Sequence, residues 1–367
     1  MSWRVSLDDL DALTLGAAIL GTGGGGNPYI GRLRARVLGQ RGLYAEVVQP
    51  ASVPDAATVL SVGGIGAPTV AIEKIRRGDE EVQALRAIER HTGRRVEALV
   101  PVEIGGANSI RPLIVGALTG LPVIDADGMG RAFPELQMTT FFFSGVSPTP
   151  TAVADEKGNV VVIDAAPDAV AVERMARLVC IYMGGTAGMA LGLMSGADMK
   201  RTSVLGTLSL ARRLGQAVLT ARDQHADPVE AAQEVTHAQE LFRGKIVDVR
   251  QRTERGFARG QFVVSGSDAF TGSTLCVDFQ NENLIARLDD EVIAVVPDLI
   301  CTVAVDDGEP ITTERLRYGL RVAILGIPAP PILRRPEALR FIGPQAFGYD
   351  LGYLTPLPGT YPTVVTS

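Results

Sequence analysis

The chain has 367 residues, 46% hydrophobic and 21% charged, which is enough apolar sequence for two domains and excludes a disordered chain. A net charge of −6 with no basic block excludes the electrostatic footprint of a nucleic-acid binder. Cys180, Cys276 and Cys301 are odd in number and widely spaced, which excludes a disulfide framework or zinc ribbon and fits a reducing cytoplasm. The first residues, MSWRVSLDDLDAL, carry early acids and no apolar core, so no secretory signal is expected. No apolar run reaches the roughly 18 residues that a membrane span requires.

In chain order, residues 7–20 alternate at helical spacing behind Ser6, a good N-cap, with aspartates in the first turn. A run of glycines stops that helix, and Tyr29 to Gly39 reads as the next one. Strands are predicted over 43–50, 57–66, 97–106 and 121–128. Helices are predicted over 70–91 and 109–119, the latter with Pro112 in its first turn. This alternation implies a three-layer α/β domain with a mainly parallel sheet, whose functional turns lie at the strand C-termini. A hairpin around Glu156 to Asn159 closes the domain, which is expected to span 1–166. Residues 168–243 read as helical, broken near 184–188 and at Asp227-Pro228. Closely spaced short strands from 245 to 327 suggest a small β-barrel or sandwich. The second domain is therefore expected over 167–367, its Pro/Gly-rich tail wrapping back over the body.

Three stretches can carry chemistry. In GTGGGGNPYIG (21–31) no strand precedes the glycines and no lysine follows them, so neither a Walker loop nor a dinucleotide fingerprint is indicated. Gly23, Gly24, Gly25, Gly26 and Asn27 can instead form a ligand-facing wall whose N–H groups meet an anion; a simple helix cap and turn is the plainer reading. In VEIGGANS (102–109), Glu103 ends a buried strand and Asn108 begins a helix. Such a carboxylate can be a general base or a metal ligand, or can sit in a structural ion pair while Asn108 caps the helix. In VIDADGMGRAFPELQM (123–138), Asp125 and Asp127 are spaced to share one strand face, and Arg131 can balance them or clamp a carboxylate. Glu73 and Lys74, after the GGIGAPT turn, are weaker candidates for substrate binding. In FQNENLIA, Gln280, Asn281 and Glu282 read most simply as a hairpin turn. His91, His225 and His237 are scattered in charged segments.

Taken together, GTGGGGNP, GAPTVAIEK, VEIGGANS, DADGMGRAFPELQMTT, GKIVDVRQRTERGFARG, FQNENLIA and VPDLI with RYGLRVAILGI resemble the DUF917 family over residues 8 to 355. That family is also described as S-methyl thiohydantoin desulfurases and occurs beside hydantoinase and oxoprolinase proteins. The resemblance implies an α/β domain followed by a barrel-containing one. It also implies hydrolysis of an S-methyl thiohydantoin to a hydantoin and methanethiol. C2 of such a ring is amidine-like and electrophilic; water attacks it and thiolate leaves. Glu103 or Asp127 can take the water proton, and the glycine-run N–H groups or Arg131 can hold a carboxylate or developing anion. Alternatively Asp125, Asp127 and Glu103 can hold a divalent metal that activates the water. A cytoplasmic homo-oligomer acting on a small molecule is expected, with hydantoinase- or oxoprolinase-type partners. Ring opening of a hydantoin and a non-catalytic role in a hydantoinase-type complex are the rival readings.

Overall fold

The computed structural model describes residues 2–254, 257–353 and 356–362; Arg255 and Gly256 of the GKIVDVRQRTERGFARG motif, and residues 354–355 and 363–367 of the tail, lie outside the described residues. The first strands are β1 (Trp3–Arg4), β2 (Glu46–Val48), β3 (Thr58–Gly66), β4 (Ala98–Pro101), β5 (Val123–Ile124), β6 (Ala126–Asp127), β7 (Thr151–Ala154), β8 (Val160–Ile163) and β9 (Thr186–Ser195). All but β6 form one eight-stranded sheet in the order β1-β2-β5-β4-β3-β9-β7-β8. Its centre, β2-β5-β4-β3, is parallel, while β1, β9, β7 and β8 join antiparallel. The sheet is thus mixed rather than mainly parallel. Its β9 comes from the stretch read as helical, so the sheet runs past residue 166. TAGMALGLMS has Thr186 as its one β-branched residue and is otherwise poor in the residue types that mark strands. Its burial between β3 and β7 overrides that weak propensity.

The helices are α1 (Leu7–Leu20), α2 (Tyr29–Gln40), α3 (Pro68–Glu73), α4 (Glu80–Thr92), α5 (Ala107–Thr119), α6 (Thr140–Phe143), α7 (Ala169–Tyr182), α8 (Gly196–Thr202), α9 (Thr207–Asp223) and α10 (Pro228–Thr236). Ser6 and Asp9 form a reciprocal capping box at the start of α1. Alternation along β3 and β4 sends Leu60, Val62 and Leu99 to a core shared with α1, α4 and α5. Val59, Ala98 and Val100 point the other way, to a core shared with α6 and α8. Helices therefore cover both faces, the three-layer arrangement. The helix expected over 70–91 is split: α3 ends at Glu73, and Gly78 at φ +102° turns the chain before α4. Residues 74–78 become a loop, and Glu73 sits at a helix end instead of a start.

A short strand β10 (Val204–Leu205) pairs with β6. Then β11 (Gln239–Glu254), β12 (Phe257–Gly266), β13 (Thr274–Gln280), β14 (Glu282–Leu288), β15 (Glu291–Val295), β16 (Leu299–Ala304) and β17 (Arg321–Ile327) form a second sheet. Its order is β15-β14-β13-β12-β11-β17-β16, antiparallel throughout. Irregular registers at four of its six ladders bend the strands. The sheet curls around Phe242, Phe262, Phe279 and Ile324 into a half-barrel, which fits in outline the small barrel or sandwich expected. Among the described residues no helix is long and apolar enough to cross a membrane.

Candidate functional site

A cavity of about 500 Å³ opens where β3, β4 and β6 end, against the β13–β14 turn of the half-barrel. Gly64, Ile65 and Gly66 enter it from β3, Val102 and Glu103 from beyond β4, Met129 and Phe133 from beyond β6, and Asn281 and Glu282 from the turn. Gly25, Gly26 and Asn27 of the glycine run form another wall.

Each loop is fixed by its neighbours. The Gly25 and Gly26 carbonyls accept the N–H of Ala107 at 2.9 and 3.2 Å, so the run closes the start of α5. Thr22 and Gly23 are bound to the half-barrel: their carbonyls accept from Asn283 N–H (2.8 Å) and Thr313 N–H (2.9 Å). A Cβ on Gly25 would meet the Gly105 carbonyl at 2.5 Å, and one on Gly24 would lie 2.1 Å from Glu282 Oε1. The glycines are there because three backbone segments and a carboxyl converge with no room for side chains.

Glu103 is buried, and both its oxygens are held. Asn108 Nδ2 donates to Oε1 at 2.5 Å, and the Phe133 N–H donates to Oε2 at 3.1 Å. Asn108 is oriented by accepting the Gly64 N–H at 2.8 Å, which leaves its amide nitrogen for Glu103. These two donors favour the carboxylate. Burial, with the Asp127 charge behind it, outweighs them and pushes Glu103 up to about 8. The helix-start residue and the strand-end acid therefore act as one unit, as their places in VEIGGANS allow.

The other acidic candidates lie behind the wall. Asp127 is fully buried, and its Oδ2 accepts from Ile104, Met129 and Gly130 N–H at 2.8, 2.9 and 2.8 Å. Burial nonetheless pushes it up to about 7 against these donors and the nearby Thr207 hydroxyl. It latches the loop after β4 to the turn after β6, so it supports Glu103 from behind. Asp125 faces α9: its carboxylate accepts from Ser209 N–H (3.0 Å) and Ser209 hydroxyl, and its carbonyl accepts from Gly206 N–H at 2.8 Å. The shared strand face expected for the two aspartates fails because the chain breaks between β5 and β6 at Asp125. Glu103, Asp125 and Asp127 do not converge on a metal position, and no cluster of three or more His, Cys, Asp or Glu residues able to hold a metal occurs among the described residues. Asp125→Ala is expected to lose about 1–2 kcal/mol of stability, as a lost helix cap does. Its melting temperature should fall with KM unchanged; an unchanged melting temperature with a raised KM would place Asp125 in substrate binding instead.

Arg131 is also behind the wall, fully buried. Its Nε donates to Ala132 O (3.1 Å), Nη1 to Pro297 O (3.3 Å) and Asp298 O (2.7 Å), and Nη2 to Thr22 Oγ1 (2.8 Å) and Asn283 O (3.0 Å). A guanidinium has five N–H donors, and these five acceptors use them, leaving none for a substrate carboxylate. The expected clamp is a structural tie joining the DADGMGR turn, the glycine run and the half-barrel.

Gly23 likewise faces Thr313 and Asn283 of the half-barrel, and Gly24 faces Glu282. Asn27 Oδ1 accepts the Tyr29 N–H at 2.9 Å at the start of α2. Glu73 and Lys74 stand at the cavity mouth. Lys74 Nζ donates to the Met183 and Thr186 carbonyls (2.6 and 3.1 Å) and pairs with Glu156 at 2.7 Å, so it ties the mouth loop to β9.

Two groups escaped the sequence reading. Arg111 lines the cavity from α5 and bonds Glu81 of α4, which also pairs with Arg76 at 2.8 Å. Burial holds Arg111 down to about 10, while its two cationic neighbours hold Glu81 at about 2 despite burial. Glu282, read as part of a turn, is buried and lines the cavity. Its one sequence signal is its place directly before NLIA, where the strand turns inward.

The fold and site together define an α/β domain closed by an antiparallel half-barrel, with an acid-lined cleft between them. The chain belongs to the S-Me-THD-like family: the N-terminal domain model of that family matches residues 8–165 and the C-terminal domain model residues 167–356. It is also similar to a Chromobacterium violaceum protein of known X-ray structure, at 26% identity over 96% of this chain and 99% of that one, with a TM-score of 0.80. Comparison with curated proteins gives no match.

Proposed function

We propose that the chain is a hydrolase that cleaves the C2–S bond of a small S-methyl thiohydantoin, giving a hydantoin and methanethiol. The observation that carries this reading is Glu103. It is a carboxylate on the wall of a cavity sized for a small ring, with both oxygens positioned by Asn108 and Phe133. Membership of the S-Me-THD-like family supports this choice of substrate class. In this mechanism the ionised Glu103 takes a proton from water as the water oxygen bonds to C2. The tetrahedral intermediate then expels methanethiolate, which leaves with the proton held by Glu103. A base near 8 suits such a proton exchange at ordinary pH.

Because the ionised form is the active one, kcat/KM should rise with pH and level off above about 8. The decisive assay follows methanethiol release from a panel of S-methyl thiohydantoins, with and without chelator. Release unaffected by chelation is expected. Absence of release across the panel would remove the desulfurase reading, ring-opened products would favour hydantoin hydrolysis, and loss of activity with chelator would overturn the carboxylate route.

A further inference from the structure

The half-barrel supplies the cavity with one ionisable group for which the mechanism above has no use. Glu282 follows Asn281, whose positive φ of +57° makes the one-residue turn between β13 and β14. That turn is held on two sides: Asn281 Oδ1 accepts the Ala258 N–H at 2.9 Å, and the Asn281 carbonyl accepts the Thr313 hydroxyl at 2.7 Å. The carboxyl is thereby pressed against the glycine run, where only a residue without Cβ fits at Gly24. Among the described residues its buried Oε2 has no hydrogen-bond partner, an arrangement costly for a carboxylate oxygen and suited to one that carries a proton.

We infer that Glu282 is the acid partner of Glu103, the two carboxyls holding one proton between them, with that proton resident on Glu282. The inference rests on the hydrolase reading for its chemistry but on geometry for the pairing: both buried carboxyls line the same cavity, Glu103 from beyond β4 and Glu282 from the half-barrel facing it. Glu103 is the strongest like-charged neighbour of Glu282, and Arg131 is its opposing cation; Asp127 and Arg111 act in the same two senses on Glu103. Burial first, then the Glu103 charge, keep Glu282 well above the ordinary carboxylate range. The acid and base assignments follow from the hydrogen bonding: each Glu103 oxygen accepts an N–H, which suits the ionised base, while Glu282 Oε2 meets no donor, which suits the protonated acid. As water adds to C2 and gives its proton to Glu103, Glu282 protonates the ring nitrogen beside C2. When the C2–S bond breaks, Glu103 returns its proton to the departing sulfur. The hydroxyl proton of the intermediate passes to Glu282 as C2=O forms. Both carboxyls end as they began, and the products are hydantoin N–H and methanethiol.

The test has an arm that needs no substrate. In protein carrying ¹³C-labelled glutamate carboxyls, the Glu282 titration midpoint should fall by about one unit or more in Glu103→Gln, which removes the like charge. A midpoint that stays put would overturn the pairing, whether or not thiohydantoins are turned over. In the kinetic arm, the wild-type rate should fall again beyond the plateau reached near pH 8, as Glu282 loses its proton; Glu282→Gln should lower kcat at least about tenfold with KM within about threefold and should lack that fall. Gly24→Ala, whose methyl would occupy the position of the carboxyl, should reproduce this effect with Glu282 present. A wild-type alkaline limb in both variants would sink the acid role.

Discussion

Replacing Glu103 by glutamine should lower kcat for methanethiol release roughly 100- to 10,000-fold, the usual contribution of a positioned general base. Glutamine preserves the shape and keeps a carbonyl to accept from Phe133 N–H or Asn108, so the loss would be chemical. The same variant should change stability in the opposite direction. Glu103 is pushed from 4.5 to about 8 on folding, so its ionised form is disfavoured in the native state. Native stability is free of this penalty below the unfolded carboxyl range and is eroded as pH rises from about 4.5 toward about 8. Glu103→Gln removes the penalty. Its melting temperature should therefore match the wild type near pH 4 and exceed it near pH 8. Thermal melts across that range, with the kinetic assay alongside, separate a catalytic carboxylate from a structural one. A variant that keeps its turnover, or one that melts lower than the wild type at pH 8, would argue that Glu103 is held ionised for the fold's sake.

How far the sequence showed this site depends on how local each contact is. Glu103 and Asn108 were legible because both sit in one strand-to-helix connection, and their bond spans five residues. The glycine run was legible as a wall because four glycines exceed what a helix cap needs. Its partners were hidden, since Glu282 and Thr313 reach it from the half-barrel. Asp125 was misread for the same reason: the helix it holds, α9, begins some eighty residues later, as the separation from Ser209 records. Strand periodicity gave Asp125 and Asp127 a common face, but a break between two short strands undid it. The β9 strand was lost to its composition and recovered by its neighbours. The half-barrel strands were visible because each is an apolar run between turns; whether the sheet closes was not, because closure depends on strand stagger and curvature, which no single strand encodes.

Arg131→Met should destabilise the protein by about 3–5 kcal/mol, the cost of stripping one partner from a buried charged network. Four of the five acceptors are backbone carbonyls, from Ala132, Asn283, Pro297 and Asp298, and these would lose a donor in the interior. The Asp298 and Glu282 carboxyls would lose a nearby cation as well. Arg131→Lys keeps the charge but offers at most three donors without the planar fork, so an intermediate loss is expected. Because the tie joins the glycine run to the half-barrel, the damage should spread to the cavity. Denaturant unfolding of the two variants measures the loss directly, and the ranking Met worse than Lys is part of the prediction. The competing role, a clamp on a substrate carboxylate, predicts the reverse pattern: a raised KM with an unfolding midpoint close to that of the wild type. A guanidinium with all five N–H groups engaged inside the protein has no donor left for that role, so the midpoint, not KM, should move.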